Sequence, residues 1–370
     1  MPAISKIDVI ATAPPMPEVQ FTDAKPPVLT TVTFVVLTDD TGATGTGAVE
    51  SDSFGAFDLA PLESLRPVAP ALLGRDPLRP SAVAALSADL LPTASRMVSK
   101  AAVEIACWDL LGQHARLPLH RLLGGARDDV AAYASLPFEG DHTSLLDLVR
   151  QVVAAGYPAA KLHVSGDPAA DIALVAAVRQ SHPGLGIVVD AESAYDRRGA
   201  RMVGRALDDL DVLWFEAPLP DRDIDGYSDL TTRLHTPVVP AGGLVDDVRE
   251  VAQVLPKRPW SSLRTQAMEG GIGHVQDLAS LGRSFGLAVE LCSYGTTVTA
   301  AADLHLILGL GLGSYFEQAF PVEPWEFGTT TPIRVENGRV RAPEGPGLGI
   351  ELDVAAIDAA TLASFTVGGC

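Results

Sequence analysis

Between residues 159 and 220 three apolar runs end abruptly in ionisable side chains: Ala160-Lys-Leu-His-Val, Ile187-Val-Val-Asp-Ala-Glu-Ser and Val212-Leu-Trp-Phe-Glu-Ala-Pro. A strand buried on both faces reads as such a run, rich in β-branched residues. The ends, His163, Asp190 and Glu216, fall about 25 residues apart, the length of one strand, one helix and short loops. The spacing continues through Gly242–Gly243, Thr265, Cys292 and Glu317. Charges at the carboxyl ends of parallel strands stand where α/β barrels build their active sites. Eight candidate strands fit this rhythm: Val130–Leu136, Ala159–Val164, Gly186–Asp190, Val212–Phe215, Val238–Pro240, Ser262–Thr265, Leu287–Leu291 and Ser314–Phe316. Helices such as Pro168–Gln180, Arg198–Leu210, Val245–Leu255 and Gly273–Phe285 separate them. The alternation predicts an α/β fold with a closed parallel (β/α)8 barrel over residues 126–320.

The first 125 residues read differently. Ile4–Thr12, Leu29–Thr38 and Ala43–Glu50 have strand character, and Asp39-Asp40-Thr41-Gly42 supplies a hairpin turn. Ala60–Leu73, Pro80–Leu91 and Ser95–Arg116 read as helices, the last stopped by Leu-Leu-Gly-Gly at 122–125. The Pro-rich stretch Ala13–Pro27 and the loop Ser51–Phe57 have the makings of lids over a neighbouring pocket. Trp108 and Asp109 are expected to pack and bond between domains. Residues 321–370, with a turn at Asn337-Gly338, are expected to return to the first domain.

A formal net charge of −19 and a pI near 4.7 argue against a nucleic acid or an anionic membrane as partner. No apolar run reaches membrane-spanning length, and no signal-peptide order opens the chain. Cys107, Cys292 and Cys370 form neither a paired framework nor a metal-type spacing, which fits a reducing, cytoplasmic setting.

The helix Ala101-Ala-Val-Glu-Ile-Ala-Cys-Trp-Asp-Leu-Leu-Gly, followed by Pro118-Leu and Leu122-Leu-Gly-Gly, resembles the mandelate racemase/muconate lactonizing enzyme branch of the enolase superfamily. Trp214-Phe-Glu-Ala-Pro, Gly270-Gly-Ile, and Asn337-Gly with Pro343-Glu-Gly-Pro-Gly-Leu-Gly are similar to the same family, in the same order along the chain. The resemblance implies an α+β capping domain made from both chain ends over a modified TIM-type barrel. It also implies proton abstraction next to a carboxylate, with Mg²⁺ held by three strand-end acids, and a homo-oligomer. Position by position, Asp190 and Glu216 match two metal ligands. The third position falls on Gly242, Gly243 or Leu244, whose side chains cannot bind a cation. Lys161 matches the first strand-two lysine and His163 replaces the second. Thr265 falls at the strand-six base position, Cys292 at the strand-seven histidine, and Glu317 at the strand-eight acid.

These residues set the expectations. His163 is the acid/base, because an imidazole titrates near neutrality, and Lys161 is its charge partner on the same strand face. Asp190 and Glu216 are metal-ligand candidates, with Glu192 as substitute third ligand and Asp246 or Asp247 as further substitutes. Glu317, Cys292 and Thr265 are substrate-contact candidates, with Ser293 a further hydrogen-bond donor. Three readings stay open: a divergent isomerase or lyase acting on a small carboxylate or carbonyl compound with or without metal; a Mg²⁺-dependent sugar-acid dehydratase or epimerase with a relocated third ligand; and a non-catalytic ligand-binding barrel.

Overall fold

The computed structural model describes residues 1–93, 96–242 and 247–369. Strands β1 (Ile4–Thr12), β2 (Leu29–Asp39) and β3 (Thr44–Ser53) form an antiparallel sheet. Helix Arg96–Ala115 lies across β3 so closely that a Cβ on Gly47 would fall 2.0 Å from Ala102 O; only glycine permits that approach. Ser95, the expected first residue of this helix, is outside the described residues.

Eight parallel barrel strands follow among the described residues: β4 (Val130–Ser135), β5 (Ala159–His163), β6 (Gly186–Asp190), β7 (Trp214–Glu216), β8 (Val238–Val239), β9 (Ser262–Thr265), β10 (Ala288–Leu291) and β11 (Tyr315–Ala319). β11 pairs with β4, and pairing runs on through β8, while β9 pairs with β10. Two seams complete the ring. Ser261 N donates to Val238 O at 2.8 Å. Ser293 Oγ accepts from Glu317 N at 2.8 Å and donates to Glu317 O at 3.0 Å. Ser293, expected as a substrate donor, is therefore a closure element.

Strand alternation sorts the barrel side chains. Ala160, Leu162, Ile187, Val189, Phe215, Val238 and Leu263 face outward into the core shared with the helices. Full burial of a Leu or Val there contributes about 1.5–3 kcal/mol. Tyr133, Ala159, Val188, Trp214 and Val239 fill the barrel interior. The polar residues stand one layer above them.

The chain end returns to the capping sheet, as a strand the sequence did not predict. β12 (Arg339–Val340) pairs with β4, and β13 (Thr361–Gly368) pairs antiparallel with β1. Three acids, Glu50 half-buried and Glu104 and Asp109 buried, join cap to barrel and tail. Glu50 accepts from Thr296 N and Oγ1 and from Thr299 Oγ1, capping helix Thr297–Leu310. Glu104 accepts from Gly273 N, and Asp109 from Thr46 N and Leu348 N.

Candidate active site

Register brings the charged strand ends to one height. His163 is opposite Asp190 across β5 and β6, and Asp190 is opposite Glu216 across β6 and β7. Just beyond these ends Glu192, Ser193 and Ala217 take positive φ values of 49°, 63° and 44°. Left-handed backbone in non-glycine residues is strained, and such strain gathers at functional sites.

The acids are gathered around two cations. Lys161 Nζ is 2.6 Å from Glu317 Oε1, 3.1 Å from Asp190 Oδ2 and 3.4 Å from Glu216 Oε1. The second cation is Arg264, 1% exposed, which reaches Glu216 Oε1 at 2.9 Å through Nε and Glu317 Oε2 at 2.7 Å through Nη2. Trp214 Nε1 donates to Glu216 Oε2 at 3.0 Å, and Glu192 N to Asp190 Oδ1 at 3.0 Å. Every carboxylate oxygen of Asp190, Glu216 and Glu317 thus has a partner.

Protonation follows from that count: three acids face two cations. Burial would lower the Lys161 pKa, but Glu216, Glu317 and Asp190 raise it, so the ammonium persists. Burial likewise opposes ionisation of Asp190 and Glu317. Lys161 nevertheless holds Asp190 well below the usual carboxylate range, and Lys161 with Arg264 holds Glu317 at about 2. Glu216 is the odd acid. Burial pushes it up to about 8 against the pull of Arg264 and Lys161, with Asp190 and Glu317 adding repulsion. Arg264 Nε is at ion-pair distance from Glu216 Oε1 without a hydrogen bond, so that contact is purely electrostatic.

His163 is 2% exposed. Its Nδ1 is 2.6 Å from Leu136 O, and a carbonyl only accepts, so Nδ1 carries the proton and donates. Nε2 then faces the pocket, 3.5 Å from Asp190 Oδ2 and 4.0 Å from Glu192 Oε1. Phe21 covers the ring at a centroid distance of 5.2 Å.

The pocket above these groups has a volume of about 360 Å³. Lys161, His163, Asp190, Glu192, Glu216, Gln266 and Cys292 line its floor, and both expected lid loops supply its roof. Phe21 and Lys25 come from the first loop and Val28 from just after it, Asp52 and Phe54 from the second. The first lid is anchored where Phe138 N donates to Gln20 O at 2.9 Å and Lys25 Nζ meets Glu192 Oε2 at 2.9 Å.

Several expected roles shift. Thr265 does not line the pocket. It is in register with outward-facing Leu291, and Gln266, one residue on, takes the inward place. Glu317 is fully buried beneath the pocket in its two ion pairs rather than lining it. Cys292 does line it, but burial pushes its thiol pKa far up, the reverse of an activated nucleophile. Glu192 approaches Asp190 and His163, whose ligand atoms lie within 4.8 Å of one another, instead of completing a set with Glu216. Gly242 uses its N–H on Asp221 Oδ2, and Asp247 caps helix Val248–Val254; Gly243, Leu244 and Asp246 lie outside the described residues. The residue that sequence reading missed is Arg264.

Residues 7–124 match the family model of the mandelate racemase/muconate lactonizing enzyme N-terminal domain, and residues 144–356 match the enolase C-terminal domain-like model. The chain belongs to the mandelate racemase/muconate lactonizing branch of the enolase superfamily. Among members of this branch, a solved structure from Pseudovibrio sp. superposes with a TM-score of 0.95 at 31% identity, covering 100% of both chains. The D-galactarolactone cycloisomerase of Agrobacterium fabrum is 28% identical over 283 residues, 70% of this chain and 72% of that one. The L-talarate dehydratase of Polaromonas sp., solved with Mg and L-glucarate, is similar at TM-score 0.87 and 25% identity over 100% of both chains. Other relatives in the branch are dehydratases, synthases and epimerases, and this chain is an enzyme of the lyase or isomerase type.

At the Asp190–Glu216 position the branch's Mg²⁺ does not fit the donors as they are arranged here. The ion asks for about six oxygens in near-octahedral array. Glu216 has given both its oxygens to Arg264, Lys161 and Trp214, and Gly242 offers no side chain. No helix among the described residues is long and apolar enough to cross a membrane.

Proposed function

We infer that this enzyme moves a proton on a small carboxylate or carbonyl substrate held in the barrel-mouth pocket, with His163 as acid/base and Lys161 as the charge that receives the substrate's developing anion. The observation that carries this reading is the orientation of His163: Leu136 O binds the Nδ1 proton, which leaves Nε2 as the ring nitrogen for proton exchange with a substrate in the pocket that His163 lines. A base must be within reach of its proton before its pKa matters, and His163 lines the cavity with Phe21 packed against its ring.

Lys161 Nζ lines the same floor two residues earlier on the same strand face. Its persistent charge stabilises negative charge forming on substrate oxygen. The opposite wall offers Gln266, Cys292 and Met268, none of which is a base at neutral pH. A single base favours elimination or cyclisation over racemisation, which needs proton transfer on two substrate faces.

Sugar acids and their lactones, the compounds that two of the relatives are named for, are the first panel to screen. Once a substrate is found, His163→Ala should lower kcat by about 10²–10⁴-fold and abolish exchange of the substrate α-proton with deuterated solvent. Undiminished exchange in that variant would move the base elsewhere.

A further inference from the structure

We propose that Arg264 is a built-in cation that stands in for the branch's metal and closes the Asp190–Glu216 position to divalent ions. Three features of this chain converge on it. Arg264 is held 1% exposed at the barrel mouth, where alternation along Ser262–Thr265 turns it inward opposite Leu263. Its guanidinium spans two acids from different strands, Glu216 on β7 and Glu317 on β11, as a bridging cation would. Every oxygen of Asp190, Glu216 and Glu317 is already bound to Lys161, Arg264, Trp214 or a backbone amide.

An arginine is suited to this substitution. It stays charged at any physiological pH, and its planar fork matches carboxylates on two sides. A divalent ion entering at Glu216 would have to displace the guanidinium, which is 1% exposed and held between two acids, or share the carboxylate with it against like-charge repulsion. The side chain that would normally compensate is also missing, since Gly242 contributes only backbone. The barrel mouth is therefore neutralised from within the polypeptide.

The test is a Mn²⁺ titration followed by electron paramagnetic resonance, with wild type, Glu216→Gln, Arg264→Met and the double variant Arg264→Met/Glu317→Gln. The double variant preserves the charge count, so it serves if the single Arg264 change fails to fold. Wild type is expected to show no Mn²⁺ binding that depends on Glu216. Both Arg264 variants, where folded by circular dichroism, should bind Mn²⁺ at least about tenfold more tightly than wild type. Wild-type binding that survives Glu216→Gln lies at another group, such as His163 with Glu192, and agrees with a closed Glu216 position. Wild-type binding lost in Glu216→Gln overturns the proposal, as do folded Arg264 variants that bind no better than wild type. None of these outcomes depends on whether His163 is the base, so the proton-transfer reading can fail separately.

Discussion

Two groups of acids withdrawn wholly or partly from water are neutralised in opposite ways in this molecule. At the junction of cap, barrel and tail, Glu50, Glu104 and Asp109 accept from backbone amides and threonine hydroxyls. At the barrel mouth, Asp190, Glu216 and Glu317 are met by the full charges of Lys161 and Arg264. Burial raises the pKa of all three junction acids, because neutral donors only partly offset lost hydration. At the mouth two of the three are driven the other way. Neutral donors suit a joint, where geometry is what matters. A dense set of charges next to a cavity suits chemistry, where a field must act on something that enters.

The comparison breaks most visibly at Arg264. Replacing it with Met leaves Glu216 and Glu317 short of a buried partner, and urea unfolding should show a loss of about 3–5 kcal/mol. A loss below about 1 kcal/mol would mean that the mouth is hydrated like a surface and that the contrast with the junction is wrong.

The pH dependence should have opposite signs in the two regions. Asp109 rises from 3.8 to about 6 on folding, so between those values the native state binds more protons than the unfolded chain. Its contribution falls as pH rises through that window, by up to about 3 kcal/mol. Glu317 drops from 4.5 to about 2, so its contribution is full above 4.5 and is lost as pH falls toward 2, by a similar amount of about 3 kcal/mol. Stability curves of Asp109→Asn and Glu317→Gln, each subtracted from wild type, should slope in opposite directions. Parallel slopes would put both acids in one class.

The smallest effect is expected at Glu50. Glutamine keeps an acceptor oxygen for Thr296 and Thr299, so Glu50→Gln should cost only about 1 kcal/mol. A cost near that of the Arg264 change would show that the ionised form is required there as well.

Much of the site could be read from the chain because strand alternation is strict. Lys161 and His163 share a face of β5, and equal spacing puts Asp190 and Glu216 beside them. The same rule explains the error at β9. An offset of one residue exchanges inside for outside, so Gln266 rather than Thr265 lines the pocket. A signal for Arg264 was present, since a charge following Leu263 in a buried strand must turn inward and find acids. Reading it requires knowing which acids are across the barrel, and those come from β7 and β11. β13 was missed because Thr361–Gly368 alternates between exposed and half-buried positions without an apolar run.

By itself, the sequence determined the strand rhythm, the closed barrel, the capping sheet and the ring of strand-end charges, because these depend on local periodicity. Only the tertiary structure decided how the charges pair. Asp190, Glu216 and Glu317 could have held an ion or a base, and nothing local to any strand distinguishes those uses. Electrostatic energy at a barrel mouth depends on distances between residues far apart in the chain, and folding brings Arg264 to within 2.9 Å of the acid that a metal would otherwise claim.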